Sequence, residues 1–128
     1  MIVLCDTSAM QVDITLVDGE SRHDYTWQAD RTLARDLLAY LRDRLAEHAT
    51  QLHELSGIGV YRGPGSYTGL RIGLTVLNTL ASSEAIPIVG ATGSNWQHDC
   101  LVRLAAHQND TIVLPEYGSD ARTTTPRK

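Results

Sequence analysis

No stretch of this 128-residue chain approaches the roughly 20 consecutive apolar residues that a membrane-spanning helix needs. The N-terminus, Met-Ile-Val-Leu-Cys-Asp, has no basic region, and its apolar run is too short for a secretory signal. There are only two cysteines, Cys5 and Cys100. Cys5 lies in an apolar run and reads as a small buried thiol; without a secretory context no disulfide is expected. These absences together predict a cytoplasmic protein. Positive charge is also scarce: Lys and Arg number 11 against 15 Asp and Glu, a net charge of −4. Phosphate binding requires a basic surface, so there is no overall electrostatic case for gripping RNA unaided.

Several catalytic signatures are missing. The histidines at 23, 48, 53, 98 and 107 make no His-Glu-x-x-His or similar ligand pair. His98-x-Cys100 is the one close His/Cys pair, and no metal site is expected there. Ser66 sits in Gly65-Ser66-Tyr67, outside the Gly-x-Ser-x-Gly pattern of a nucleophile elbow, and no His and Asp can be assigned to it. No catalytic residue is predicted.

What is present reads as an α/β domain. Ile2 to Ser8 is a short apolar run ending in Asp6-Thr7-Ser8. Gln11 to Val17 alternates, with Val12, Ile14 and Leu16 on one side, and Asp18-Gly19 is a hairpin signal. Arg22 to Trp27 alternates again, so three antiparallel strands are expected. A helix should follow from about Asp30, as N-cap, to about Ala49, with Leu33, Leu37, Leu41 and Leu45 every fourth residue. Ala34 and Leu38 widen its apolar stripe; Arg31, Arg35, Arg42, Asp43 and Glu47 read as a solvated side. Gly57 to Tyr61 predicts a buried strand, and Thr68 to Glu84 a second helix. Ile86 to Val89 predicts a strand, Asn95 to His107 a third helix, and Thr111 to Leu114 a last strand. Residues 1–114 form the predicted domain, and residues 115–128 a flexible tail. The order is βββ-α-β-α-β-α.

The densest information lies between the fourth strand and the second helix, in Arg62-Gly63-Pro64-Gly65-Ser66-Tyr67-Thr68-Gly69-Leu70-Arg71-Ile72-Gly73. Glycines at 63, 65 and 69 permit positive φ and close backbone approach. Ser66 or Thr68 can cap the helix that follows. No Gly-Lys-Ser/Thr closes a Walker A loop, and the G-x-G-x-x-x-G spacing is one residue too long for a dinucleotide fingerprint. Two uses stay open: a tight structural or interface turn, or an anion site built on free amides at a helix start. Asp6, Thr7, Ser8, Gly63, Gly65 and Ser66 are the residues that such a phosphate loop would employ, although a strand-end Asp also serves as a turn residue.

This run closely resembles the signature loop of the TsaB (YeaZ-type) family, and the resemblance covers roughly residues 1 to 92. It implies one ribonuclease-H-like lobe of the actin-like ATPase fold, which members nearly twice this long use twice; the second lobe is expected to be missing here. The resemblance implies a noncatalytic scaffold for the TsaD-type transferase that makes threonylcarbamoyladenosine in tRNA, with tRNA met only through the complex. A TsaE-type ATPase would join at or near the junction. No cofactor is expected on this chain alone, with ATP at a partner interface.

The helix from Thr68 carries the main functional expectation. Its apolar residues fill an arc of about 200°, where a surface helix needs about 100°. Either it is buried on two sides within its own domain, or it meets the sheet on one side and a partner on the other. The resemblance implies the second, with Leu33, Leu37, Leu41, Leu70, Arg71, Gly73, Leu74 and Leu77 as partner contacts and Gly73 admitting a neighbouring backbone. A heterodimer or a homodimer could use that surface. The competing reading is a small ATP-binding or ATP-hydrolysing domain using Asp6, Thr7 and the Gly63–Gly69 loop.

Overall fold

The computed structural model describes residues 1–65 and 68–116 (of Asp30, the backbone alone). Five strands form one mixed sheet, and three helices cover it: β1 Ile2–Asp6, β2 Gln11–Asp18, β3 Ser21–Gln28, α1 Leu33–Ala46, β4 Gly57–Tyr61, α2 Thr68–Glu84, β5 Ile88–Ala91 and α3 Trp96–Ala105. The spatial order is β3-β2-β1-β4-β5. β1 runs antiparallel to β2, and β2 to β3, joined by a tight turn in which Gly19 takes a φ of +62°. β4 lies parallel to β1 and β5 parallel to β4. This is the predicted ribonuclease-H-like order. The parallel register Ile2↔Gly57 brings the carboxyl ends of β1 and β4 side by side.

Alternation along the strands sorts residues between two cores. Val3, Cys5, Val12, Ile14, Leu16, Ile58, Val60 and Ile88 point to one side, where α1 and α2 pack. Leu33, Leu37, Leu41 and Leu45 of α1 meet Leu70, Leu74, Leu77 and Leu80 of α2 in the same cluster. On the other side Leu4, Val17 and Val89 pack with Cys100 of α3. A Cβ on Gly59 would lie 2.6 Å from Leu4 Cδ2 and 2.8 Å from Cys100 Cβ. The bare backbone of β4 is therefore what allows α3 to sit close to the sheet. Burial pushes the Cys100 thiol up to about 11, as expected for an inert core sulfur.

β3 is fastened to α1 by aromatic contacts. Trp27 stacks on Tyr40 at 4.8 Å, and the Arg44 guanidinium lies 4.9 Å from the Tyr40 ring centroid, a cation–π arrangement. The charged side of α1 is solvated as expected, with an exposed Arg35–Asp36 ion pair. Such pairs add little stability.

Four sequence expectations need correction. Asp30 is not the N-cap of α1: a 3-10 turn over Asp30–Thr32 comes first, with Ala29 ahead of it, and the α-helix starts at Leu33. The helix also ends earlier, at Ala46, because Ala49 turns to a φ of +54° and Thr50 N–H closes on Leu45 O, a left-handed stop. β5 begins at Ile88 rather than Ile86, since Pro87 has no N–H for the ladder and acts through its carbonyl, accepting from Ile58 N–H. Thr111 to Leu114 is not a strand. The edge of β5 is satisfied instead by residues ahead of that segment, through side chains and one backbone bond from Asp110 N–H to Ile88 O. Asn109 Oδ1 accepts from Ile88 N–H, Asp110 Oδ2 from Gly90 N–H, and Arg103 Nη1 donates to Gly90 O. Arg103 also pairs with Asp110. Partial burial opposes ionisation of Asp110, but the bonds from Arg103 and Gly90 outweigh it and hold its carboxyl below the usual carboxylate range. An edge saturated this way offers nothing for another strand to pair with. Residues 117–128 of the expected tail lie outside the described residues, and none of the described helices is long and apolar enough to cross a membrane.

The Gly59 contacts make a direct prediction. Gly59→Ala forces α3 off the sheet and should destabilise the protein by about 1–3 kcal/mol. A denaturant melt would check this; an unchanged midpoint would mean that Gly59 does not set the α3 distance.

Candidate functional site

At the joined ends of β1 and β4 two loops meet. Asp6 ends β1, and its Oδ1 accepts the Ser8 backbone N–H at 2.8 Å. This Asx-type bond turns the chain into the hairpin. Thr7 is buried beneath α2, against Gly73, where any Cβ would collide with the Thr7 side chain. A Cβ placed on Gly65 would lie 3.9 Å from Ser8 Cβ and 3.7 Å from Leu70 Cδ2. Gly63 takes a φ of +126°, and its open side faces the Glu116 carbonyl. The Gly63–Pro64 peptide is cis, and the Tyr61 hydroxyl donates to Pro64 O at 3.0 Å. Burial raises the Tyr61 phenol, and the charge of Asp6 adds to it.

Of the residues expected in a phosphate loop, Asp6, Thr7 and Ser8 follow one another at the end of β1 and Gly65 lies against Ser8, while Gly63 faces Glu116; Ser66 lies outside the described residues. Their donors and acceptors are partly committed elsewhere. Gly65 N–H donates to Glu116 O at 3.1 Å, Asp6 Oδ1 is engaged by Ser8, and Thr7 is closed in by α2. Among the described residues no three His, Cys, Asp or Glu side chains are grouped to hold a metal. His98 is exposed while Cys100 is buried, so this pair does not converge.

The partner contacts are placed differently from expectation. Leu33, Leu37, Leu41, Leu70, Leu74 and Leu77 are all buried in the chain's own core. Gly73 is buried too, and the neighbour it admits is Thr7 rather than a partner backbone. Arg71 alone of that set is exposed. One open surface on this side is a shallow groove of about 440 Å³ between the helices, lined by Ala34, Thr68, Arg71, Ile72, Thr75 and Val76. Ile72 and Val76 are half-buried, and Leu38 and Ala34 are exposed on α1. Thr75 and Thr79 turn their hydroxyls back to the carbonyls of Arg71 and Thr75. With those two hydroxyls satisfied inside the helix, this part of α2 presents the methyl groups of Thr75 and Thr79 beside the Arg71 guanidinium. A larger hollow of about 670 Å³ at the far end of α2, beside Asn109 and Ile112, contains no titratable side chain.

A family model described as "TsaD: tRNA N6-adenosine threonylcarbamoyltransferase" matches residues 27–93, just over half of the chain. The chain is a TsaB-type member of this family. The TsaB-type assignment rests on relatives named "tRNA threonylcarbamoyladenosine biosynthesis protein TsaB". The one from Haemophilus influenzae is 27% identical over 113 residues, 88% of this chain and 47% of that protein. The one from Escherichia coli is 26% identical over 91 residues, 71% of this chain and 39% of that protein. The solved YeaZ from Pseudomonas aeruginosa superposes with a TM-score of 0.64 at 28% identity, covering 71% of this chain and 43% of that one. The chain spans less than half the length of each of these relatives.

For this TsaB-type chain, Leu37→Asp should abolish folding, because it leaves an unpaired carboxylate in the core. Arg71→Glu should leave the thermal transition within a degree or two of the parent, as exposed substitutions change stability little. Circular dichroism melts of both variants check the assignment; a folded Leu37→Asp protein would contradict it.

Proposed function

We propose that this chain is a noncatalytic subunit that docks a TsaD-type transferase along the outer sides of α1 and α2 and so supports threonylcarbamoyladenosine formation in tRNA. The observation that carries this reading is the open α1–α2 groove, with Ile72 and Val76 half-exposed beside Arg71. After the leucines have filled the core, α2 keeps apolar surface on its outer side with the Thr75 and Thr79 hydroxyls turned inward. Such a surface suits another helix better than it suits water. Arg71 would fix orientation at the rim, since arginine forms directed, bidentate contacts.

The chain's role is coupling rather than bond chemistry: it would shape and steady the site on its partner. tRNA would be met through the complex, in keeping with the net charge of −4. A TsaE-type ATPase would join at the same junction, which is where ATP would enter. In the absence of the transferase, two copies of this chain would cover the same groove with each other. The alternative of an ATP-hydrolysing domain is less favoured, because Gly65 N–H, Asp6 Oδ1 and Thr7 are already engaged within the chain.

Light scattering on this chain mixed with the transferase of the same cell tests the reading. A mixed complex should form at micromolar concentration. Ile72→Asp, on a surface position, should weaken it by about 30-fold or more, the effect of losing a central apolar contact, while leaving the fold unchanged. A variant that binds like the parent would remove the groove as the docking site.

A further inference from the structure

The Gly63–Gly65 loop has little of its own to hold it in place. Glycine loses more conformational freedom than any other residue when it is ordered, so its shape must be imposed from outside. Apart from the Tyr61 hydroxyl on Pro64 O, the bonds that impose it come from a segment about 50 residues away in sequence. Glu116 N–H donates to Arg62 O at 2.6 Å, Gly65 N–H donates to Glu116 O at 3.1 Å, and Arg62 Nε donates to Leu114 O at 2.9 Å. Upstream the segment is anchored to α2 itself. Val113 N–H donates to Asn78 Oδ1 and Asn78 Nδ2 donates to Val113 O, both at 2.9 Å. Val113 is buried, while Ile112 and Leu114 on either side of it are 61% and 65% exposed. A single apolar plug and five hydrogen bonds therefore tie the segment to the middle of α2 and to the loop that leads into its first turn.

We infer that residues 113–116 are a positioning strap that holds the glycine loop in the shape presented at the N-terminal end of the α1–α2 groove. The consequence for binding rests on the docking reading above. The strap works through its backbone at Glu116, so the identity of that side chain is secondary and its N–H is what matters. A loop released from the strap would sample many conformations and would have to be reordered each time a partner binds, which lowers affinity without removing any direct contact.

The test uses the full chain with Glu116→Pro, which removes the N–H bonded to Arg62 O; Asn78→Leu, which removes both bonds to Val113; and Glu116→Ala, which keeps the backbone groups. Amide hydrogen exchange by NMR is read at Gly65 and, as a control, in β1 and β4. Glu116→Pro and Asn78→Leu should speed Gly65 exchange by ~5-fold or more, the effect of losing about one net hydrogen bond, with the β1 and β4 amides still protected. Both should weaken transferase binding by a similar factor, and Glu116→Ala should match the parent in both readouts. Unchanged Gly65 exchange in Glu116→Pro overturns the strap. Faster exchange with unchanged affinity overturns its positioning role. If the parent chain does not bind the transferase at all, the docking reading fails, and the exchange arm still decides whether the strap holds the loop.

Discussion

The contact between Gly73 and Thr7 sets the position of α2, and the rest of that side of the sheet follows from it. Any side chain at position 73 would collide with Thr7 at the end of β1. With hydrogen there, α2 settles against the strand end, closes Thr7 in, and drops Leu70, Leu74 and Leu77 into the core beside Leu33, Leu37 and Leu41. Because the leucines are consumed in this way, what α2 offers outward is the next part of its circumference: Arg71, Ile72, Thr75 and Val76. The same approach brings the glycine loop against Ser8. The α1–α2 groove and the loop cluster are therefore two results of one close helix–strand contact.

The loop cluster shows how a phosphate-binding shape can be turned inward. The carboxyl ends of two parallel strands, a strand-end aspartate and glycines ahead of a helix are the parts an anion site requires. Here Asp6 closes a turn, Gly65 N–H is bonded to Glu116, and Thr7 packs under α2. These three groups meet the chain instead of a ligand. The result is that Gly63 and Gly65 are held against Glu116 and Ser8.

Much of this was legible in the residues. β4 at Gly57–Tyr61 and α2 at Thr68–Glu84 lie where glycine and proline punctuation predicts them, and the leucines of α1 share one side as their fourfold spacing requires. Periodicity says which residues share a side of a helix, but not what that side meets. The leucines were therefore legible as a stripe and illegible as core; the 200° arc reads equally as core plus interface. The burial of Cys100 was not legible because it depends on Gly59, in a distant strand, being bare. Thr111–Leu114 carried the β-branched signal of a strand, but the edge of β5 had already been saturated by Asn109, Asp110 and Arg103. The Glu116 bonds to the loop link backbone atoms far apart in sequence, and no side-chain pattern announces them.

The central claim is that the outer sides of α1 and α2, and not the leucine stripe, form the docking face. Hydrogen–deuterium exchange of this chain with and without its transferase tests it most directly. The account predicts that binding slows exchange in peptides covering residues 34–38 and 68–79, with β3 and α3 unaffected. A complex that protects α3 or the β3 edge and leaves residues 68–79 unchanged would contradict it.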